Sequence, residues 1–126
     1  MKAITVRQPW AWLLIHGGKD IENRCWPTNY RGKIAIHAAK GMTRDEWLDA
    51  VLYAEYRGIV VTPDFDELVR GAVIGTMILR DCVTDHESPW FEGPYGFVMT
   101  NPVPCDACWT KGALGLWEWN APAVRP

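Results

Sequence analysis

Four charged side chains of mixed sign, Lys19, Asp20, Glu22 and Arg24, fall within six positions of the stretch Gly17-Gly18-Lys19-Asp20-Ile21-Glu22-Asn23-Arg24. Tryptophans flank them, Trp10 and Trp12 before and Trp26 after. Residues Ile21–Trp26 read as a strand, in which side chains alternate between faces. Glu22, Arg24 and Trp26 then share one face, and Ile21, Asn23 and Cys25 the other. The Gly17-Gly18 turn lets the long stem of Lys19 swing over the first face. A carboxylate, an ammonium, a guanidinium and an indole converging in a cleft could bind or transform something planar. The competing reading is a surface ladder of salt bridges, which contributes little to stability.

Other chemistry-bearing residues are more scattered. Eight tryptophans in 126 residues is unusually many. Trp26, Tyr30 and Trp90, at strand ends or in loops, are the expected stacking platforms for a planar base. Among Trp10, Trp12, Trp47 and Trp117 packing is expected to dominate. Ser88-Pro89-Trp90-Phe91 reads either as a lid tip folding over a cleft or as a satellite cluster packed on the domain. His37, on the strand face opposite Ile34 and Ile36, is positioned to reach a substrate or phosphate. His16 ends an apolar helix and suits a structural role, and His86 lacks evident partners. Cys105-Asp106-Ala107-Cys108 has metal-ligand spacing but is half a site. The expectation is two reduced thiols in a loop, with no metal and no cofactor.

The elements that must position these residues follow from periodicity and punctuation. Ala3–Arg7 reads as a first strand and Trp10–His16 as a short buried helix, with Pro9 in its first turn and Gly17-Gly18 ending it. Lys33–Ala39 is a third strand. Thr43 and Glu46 form a capping box for a helix whose face is Trp47, Leu48, Val51 and Leu52, stopped by Gly58. A shorter helix over Asp64–Arg70, a long strand Ala72–Val83 bent at Gly75, a loop Asp85–Pro94, and strands Tyr95–Thr100 and Ala113–Trp119 complete the chain. This order fits an α+β domain, a small mixed β-barrel decorated by two to three helices. Residues 1–120 form one domain and 121–126 a loose tail.

Composition bounds the function. The net charge of −2 conceals +6 over residues 1–44 and −8 over 45–126. A basic face would attract phosphates unless the halves interleave, and the total does not announce a strong binder of duplex DNA. No apolar run approaches the roughly 20 residues of a membrane span, and the start lacks a secretory signal, so a cytoplasmic location with reduced cysteines is expected.

The stretch 17–24 also matches the Gly-x-Lys-x-x-Glu-x-Arg signature of the ASCH domain, within the PUA-like superfamily. The flanks Arg7-Gln8-Pro9-Trp10-Ala11-Trp12 and Trp26-Pro27-Thr28-Asn29-Tyr30-Arg31-Gly32, and the strand entry Gly71–Gly75, resemble the ASCH domains of transcription coactivators. The resemblance implies a PUA-like barrel with a cleft beside the signature, and either of two functions. One is metal-independent amide hydrolysis on N4-acylated cytosine or cytidine, with Lys19, Glu22 and Arg24 as catalytic residues and Gln8, Pro9, Trp10, Trp26, Tyr30, His37, Ser88 and Trp90 around the substrate. The other is binding of single-stranded RNA or a modified nucleobase without turnover; cleavage of RNA is a third. For hydrolysis either Glu22 or Lys19 is the base, and Arg24 or protonated Lys19 stabilises the oxyanion. The small hydrolases carry threonine in place of Glu22 and a further glutamate, for which Glu87 and Glu92 are the candidates here. The partner is thus a nucleoside, a nucleobase or single-stranded RNA, bound by a monomer or weak homodimer without a membrane.

Overall fold

The computed structural model describes residues 1–58 and 62–122. Along the chain run β1 (Lys2–Val6), α1 (Trp10–His16), β2 (Ile21–Arg24), β3 (Gly32–Ala38), α2 (Arg44–Tyr56), a 3-10 turn (Phe65–Glu67), β4 (Ala72–Val83), β5 (Tyr95–Trp109) and β6 (Leu116–Glu118). The strands form one sheet in the order β2-β5-β4-β3-β1-β6. Among the described residues only β1 and β3 pair in parallel, as expected where α1 and β2 intervene between them. The sheet curls into a half-barrel, the α+β PUA-like architecture anticipated above. Ile4, Val6, Leu14, Ile34, Ile36, Leu79, Phe97 and Met99 fill its interior.

Helix α1 is apolar nearly all round because it is buried, and Gly17 ends it by donating its amide to the Leu13 carbonyl at 2.9 Å. A side chain at Gly17 would meet Leu13 Cδ2 at 2.7 Å, so the chain turns there into the signature. The bend expected at Gly75 is present as a register shift. An added Cβ there would meet the Val103 carbonyl at 2.6 Å and Ile15 Cδ1 at 2.8 Å, so glycine is what lets α1 and β5 close on β4.

Several elements differ from expectation. The segment Asp64–Arg70 keeps only the 3-10 turn. β2 stops at Arg24, leaving Trp26 outside the strand. β5 runs on to Trp109, because β4 offers it a partner as far back as Ala72. Cys105 and Cys108 therefore lie on a strand rather than in a loop; all four cysteines are free. The capping box of α2 forms as read, yet Leu48 and Leu52 are 47% and 54% exposed, and the helix buries Ala50 and Ala54 instead. Of the tail 121–126, residues 123–126 lie outside the described residues.

Candidate functional site

Lys19, Glu22 and Arg24 do converge. Lys19 Nζ stands 3.3 Å from Glu22 Oε1, and the Arg24 guanidinium donates to Glu22 Oε2 at 2.9 Å. The arrangement is no surface ladder, since the Lys19 side chain is only 4% exposed and that of Glu22 only 9%. Lys19 also donates to the Ile21 carbonyl. Burial lowers the Lys19 pKa; Glu22 opposes the shift and Arg24 adds to it. An ammonium has three donors, and two are committed here. When charged, Lys19 keeps one N–H free; when neutral, it keeps a lone pair instead.

Arg24 turns its other bond outward, donating to the Thr5 carbonyl at 2.7 Å. It is absent from the cavity lining, so its place is behind Glu22, holding the carboxylate and tying β2 to β1.

The cavity beside this pair measures about 340 Å³ and is lined by Trp10, Lys19, Glu22, Asn23, Tyr53, Trp90 and Glu92. That is at the small end of the ~300–1,000 Å³ of small-molecule sites, a size for one base or nucleoside. Trp10 meets Tyr53 edge-on at 5.4 Å between centroids, and Tyr53 lies 5.9 Å from Trp90. Lys19 Nζ sits 5.9 Å from the Trp10 ring centre, within cation–π range. Trp90 is 6% exposed and packs with Leu13, Ile21 and Ala54. Its loop is therefore the packed cluster of the second reading, and Trp90 also walls the cavity.

Ser88 lies behind this wall. Its hydroxyl donates to Asp20 and accepts the Trp90 amide, which fastens the loop to the signature. Asn23, placed by alternation on the other face of β2 and not among the expected site residues, fastens the same loop. Its side-chain oxygen accepts the amides of Glu92 and Gly93 at 2.9 and 3.0 Å, and its nitrogen donates to the Trp90 carbonyl at 3.0 Å. Tyr53 lies off the α2 face of Trp47, Leu48, Val51 and Leu52 expected from periodicity, yet it lines the cavity. Of the two candidate loop carboxylates, Glu92 reaches the cavity and Glu87 does not. Glu92 accepts a hydrogen bond from the Tyr53 hydroxyl and pairs with Arg57 at 3.2 Å.

The remaining expected substrate residues are elsewhere. Gln8 is buried and structural: it donates to the Val69 carbonyl at 2.8 Å and accepts the Trp12 amide at 2.9 Å, capping α1. Pro9 starts α1 and gives its carbonyl to the Leu13 amide at 2.9 Å. Trp26 packs edge-on against Phe97 at 5.2 Å, 5.9 Å from the Arg24 guanidinium. Tyr30 donates its hydroxyl to the Lys33 carbonyl at 2.6 Å. The two therefore pack against the main core. His37 has both ring nitrogens engaged, by Thr5 Oγ1 at 3.2 Å and the Thr110 carbonyl at 2.7 Å, so it has none free for a substrate. Among the described residues no cluster of three or more His, Cys, Asp or Glu is arranged to hold a metal ion.

A sequence model of the ASCH domain matches residues 4–102, which include every lining residue of the cavity. The chain belongs to the ASCH domain family. This ASCH domain is also similar to human (Homo sapiens) Activating signal cointegrator 1, 32% identical over 132 residues, covering 94% of this chain and 22% of the relative. The mouse (Mus musculus) Activating signal cointegrator 1 is 33% identical over 131 residues, with the same coverage. The chain thus spans about a fifth of the length of these relatives (22%). No described helix is long and apolar enough to cross a membrane.

Proposed function

We propose that this ASCH domain binds single-stranded RNA by taking one base, ordinary or modified, into the Trp10–Tyr53–Trp90 cavity. The observation that carries the reading is three aromatic walls around a buried Lys19–Glu22 pair. Rings of this kind stack with any base, and the free N–H of charged Lys19 suits a base carbonyl oxygen. The test is quenching of tryptophan fluorescence by cytidine and by N4-acetylcytidine. Trp10→Ala should weaken binding by about 5- to 150-fold, the span of about 1–3 kcal/mol for one stacked base. No quenching by either nucleoside, or equal affinity in Trp10→Ala, would remove this reading.

Hydrolysis of an N4-acyl group is a second reading, supported by the lowered pKa of Lys19 and by Glu92 at the same cavity. Neutral Lys19 would take a proton from water as it adds to the acyl carbonyl, and the cytosine amine would leave with that proton as the acid forms. Release of cytidine from N4-acetylcytidine, followed by ultraviolet absorbance, separates turnover from binding. Cytidine release that survives Lys19→Ala would exclude this assignment of the base.

A further inference from the structure

We propose a second site on this domain: a basic groove that holds the phosphodiester backbone of single-stranded RNA while a base stacks on Trp109. The groove, about 990 Å³, includes Lys40, Arg70 and Lys111 in its lining, with Trp109 and Leu114 beside them and no carboxylate. Elsewhere the cations are largely spoken for. Lys2, Arg7, Lys19, Arg24, Arg31 and Arg57 all form ion pairs. Among the described residues the lysines and arginines without one are Lys33, Lys40, Arg44, Arg70, Arg80 and Lys111. Three of those six meet in this one groove.

The aromatic component is as unusual as the charge. Trp109, at the end of β5, is 70% exposed, whereas an indole with nothing to cover it ordinarily turns inward. Unpaired cations beside an exposed indole are the parts of a single-strand site, in which cations follow phosphates and rings stack bases.

The groove is also built rather than accidental. His37 stands beneath the segment that carries Lys111, with its ring held by Thr5 and the Thr110 carbonyl. A side chain at Gly112 would meet Thr5 Oγ1 at 2.5 Å and His37 Cε1 at 2.7 Å, so glycine alone lets the segment settle there. His37 thus enters as the support of a binding surface. Asp66 and Glu67 border an adjoining groove that shares Lys40, Arg70 and Trp109, which leaves the Lys111 side as the more favourable course for a polyanion.

The choice of RNA rests on the base-binding reading above, and the experiment separates the two. Binding of a labelled ~10-nucleotide oligouridylate, and of the matching oligodeoxythymidylate, is followed by anisotropy across a salt series in wild type and in Lys40→Gln/Arg70→Gln/Lys111→Gln. Each phosphate contact contributes about 0.7 to the salt slope of a single strand, so the triple variant should lose about 2. Trp109→Ala should weaken RNA binding by about 5- to 150-fold, and Trp109→Phe, which keeps a stacking face, should restore most of it. Quenching by cytidine at the aromatic cavity should be unchanged in every variant.

Wild-type slope and affinity in the triple variant overturn the proposal, even if cytidine binds. Loss of slope without cytidine quenching supports the groove and removes the cavity reading. Preference for the deoxy strand overturns RNA as the ligand. Should the triple variant fail to fold, the exposed single changes Lys40→Gln and Lys111→Gln are each expected to lower the slope by about 0.7, and no change in either overturns the site.

Discussion

Burial lowers the pKa of Lys19 even though Glu22 beside it pulls the other way. The pair is therefore held in tension, and removing one member exposes it. Glu22→Gln should cost about 3–5 kcal/mol near neutral pH, because Lys19 is left as a buried charge with only a neutral partner. Lys19→Met should cost less, since Glu22 keeps Arg24 and an apolar chain fills the space. The pH dependence has a definite sign. With a lowered value in the fold, Lys19 binds fewer protons folded than unfolded up to its ordinary 10.5, so this group makes stability rise with pH across that window. The deficit of Glu22→Gln relative to wild type, read from urea unfolding, should accordingly shrink as pH rises. A deficit independent of pH would show that Lys19 is not the residue left stranded. At this scale the sequence was informative, for alternation in a strand is local and puts Glu22 and Arg24 on one face, with Lys19 brought to it by the Gly17-Gly18 turn. It did not reveal that they are buried, because burial is decided by α1 and by the loop before β5.

The loop Asp85–Pro94 and helix α2 hold each other. Arg57 donates to the Pro89 carbonyl at 2.8 Å, lies 3.2 Å over the Tyr53 ring and pairs with Glu92, which also accepts from the Tyr53 hydroxyl. Tyr53 has its pKa pushed up to about 12, by burial first and then by the bond to Glu92. A raised value means stability that is complete below the ordinary 10.0 and lost as pH climbs through about 12. Tyrosinate absorbance should therefore contain a component with its midpoint near 12 that disappears in Tyr53→Phe. If wild type and Tyr53→Phe titrate alike in that range, the latch between loop and helix does not hold in solution. The elements themselves were mostly legible. α1 and β4 fall where apolar runs and glycines put them, and the capping box set the start of α2. Which face of α2 turns inward was not. The loop delivers Trp90 to the small residue Ala54, a contact between distant segments that leaves Leu48 and Leu52 outside. The same distance hid Tyr53 and Asn23.

Across the whole molecule the sequence offered two options for its uneven charge, a basic face or interleaved halves, and both occur in part. Lys2 with Glu118, Arg7 with Glu46 and Arg31 with Asp81 join the basic first third to the acidic remainder. The cations they leave over collect in the groove beside Trp109. The same long-range economy braces the curled sheet. β2 is one edge of the sheet, and β6 covers β1 only as far as Ile4. Just past that limit Arg24 donates to the Thr5 carbonyl, so one side chain joins the β2 edge to β1 and braces Glu22 from behind. Arg24→Met should remove both bonds at a cost of about 3 kcal/mol, using the lower figure of about 1.5 kcal/mol for each charged hydrogen bond. The loss should be local before it is global. Amides of β2 should exchange with solvent faster than in wild type, while those of β3 and β4, paired on both sides within the sheet, keep their relative protection. Cavity binding should weaken as well, since Glu22 loses the support that fixes it against Lys19. Uniform loss of protection across all strands would instead mean that Arg24 contributes to the common core, and unchanged protection in β2 would mean that this edge is held without it.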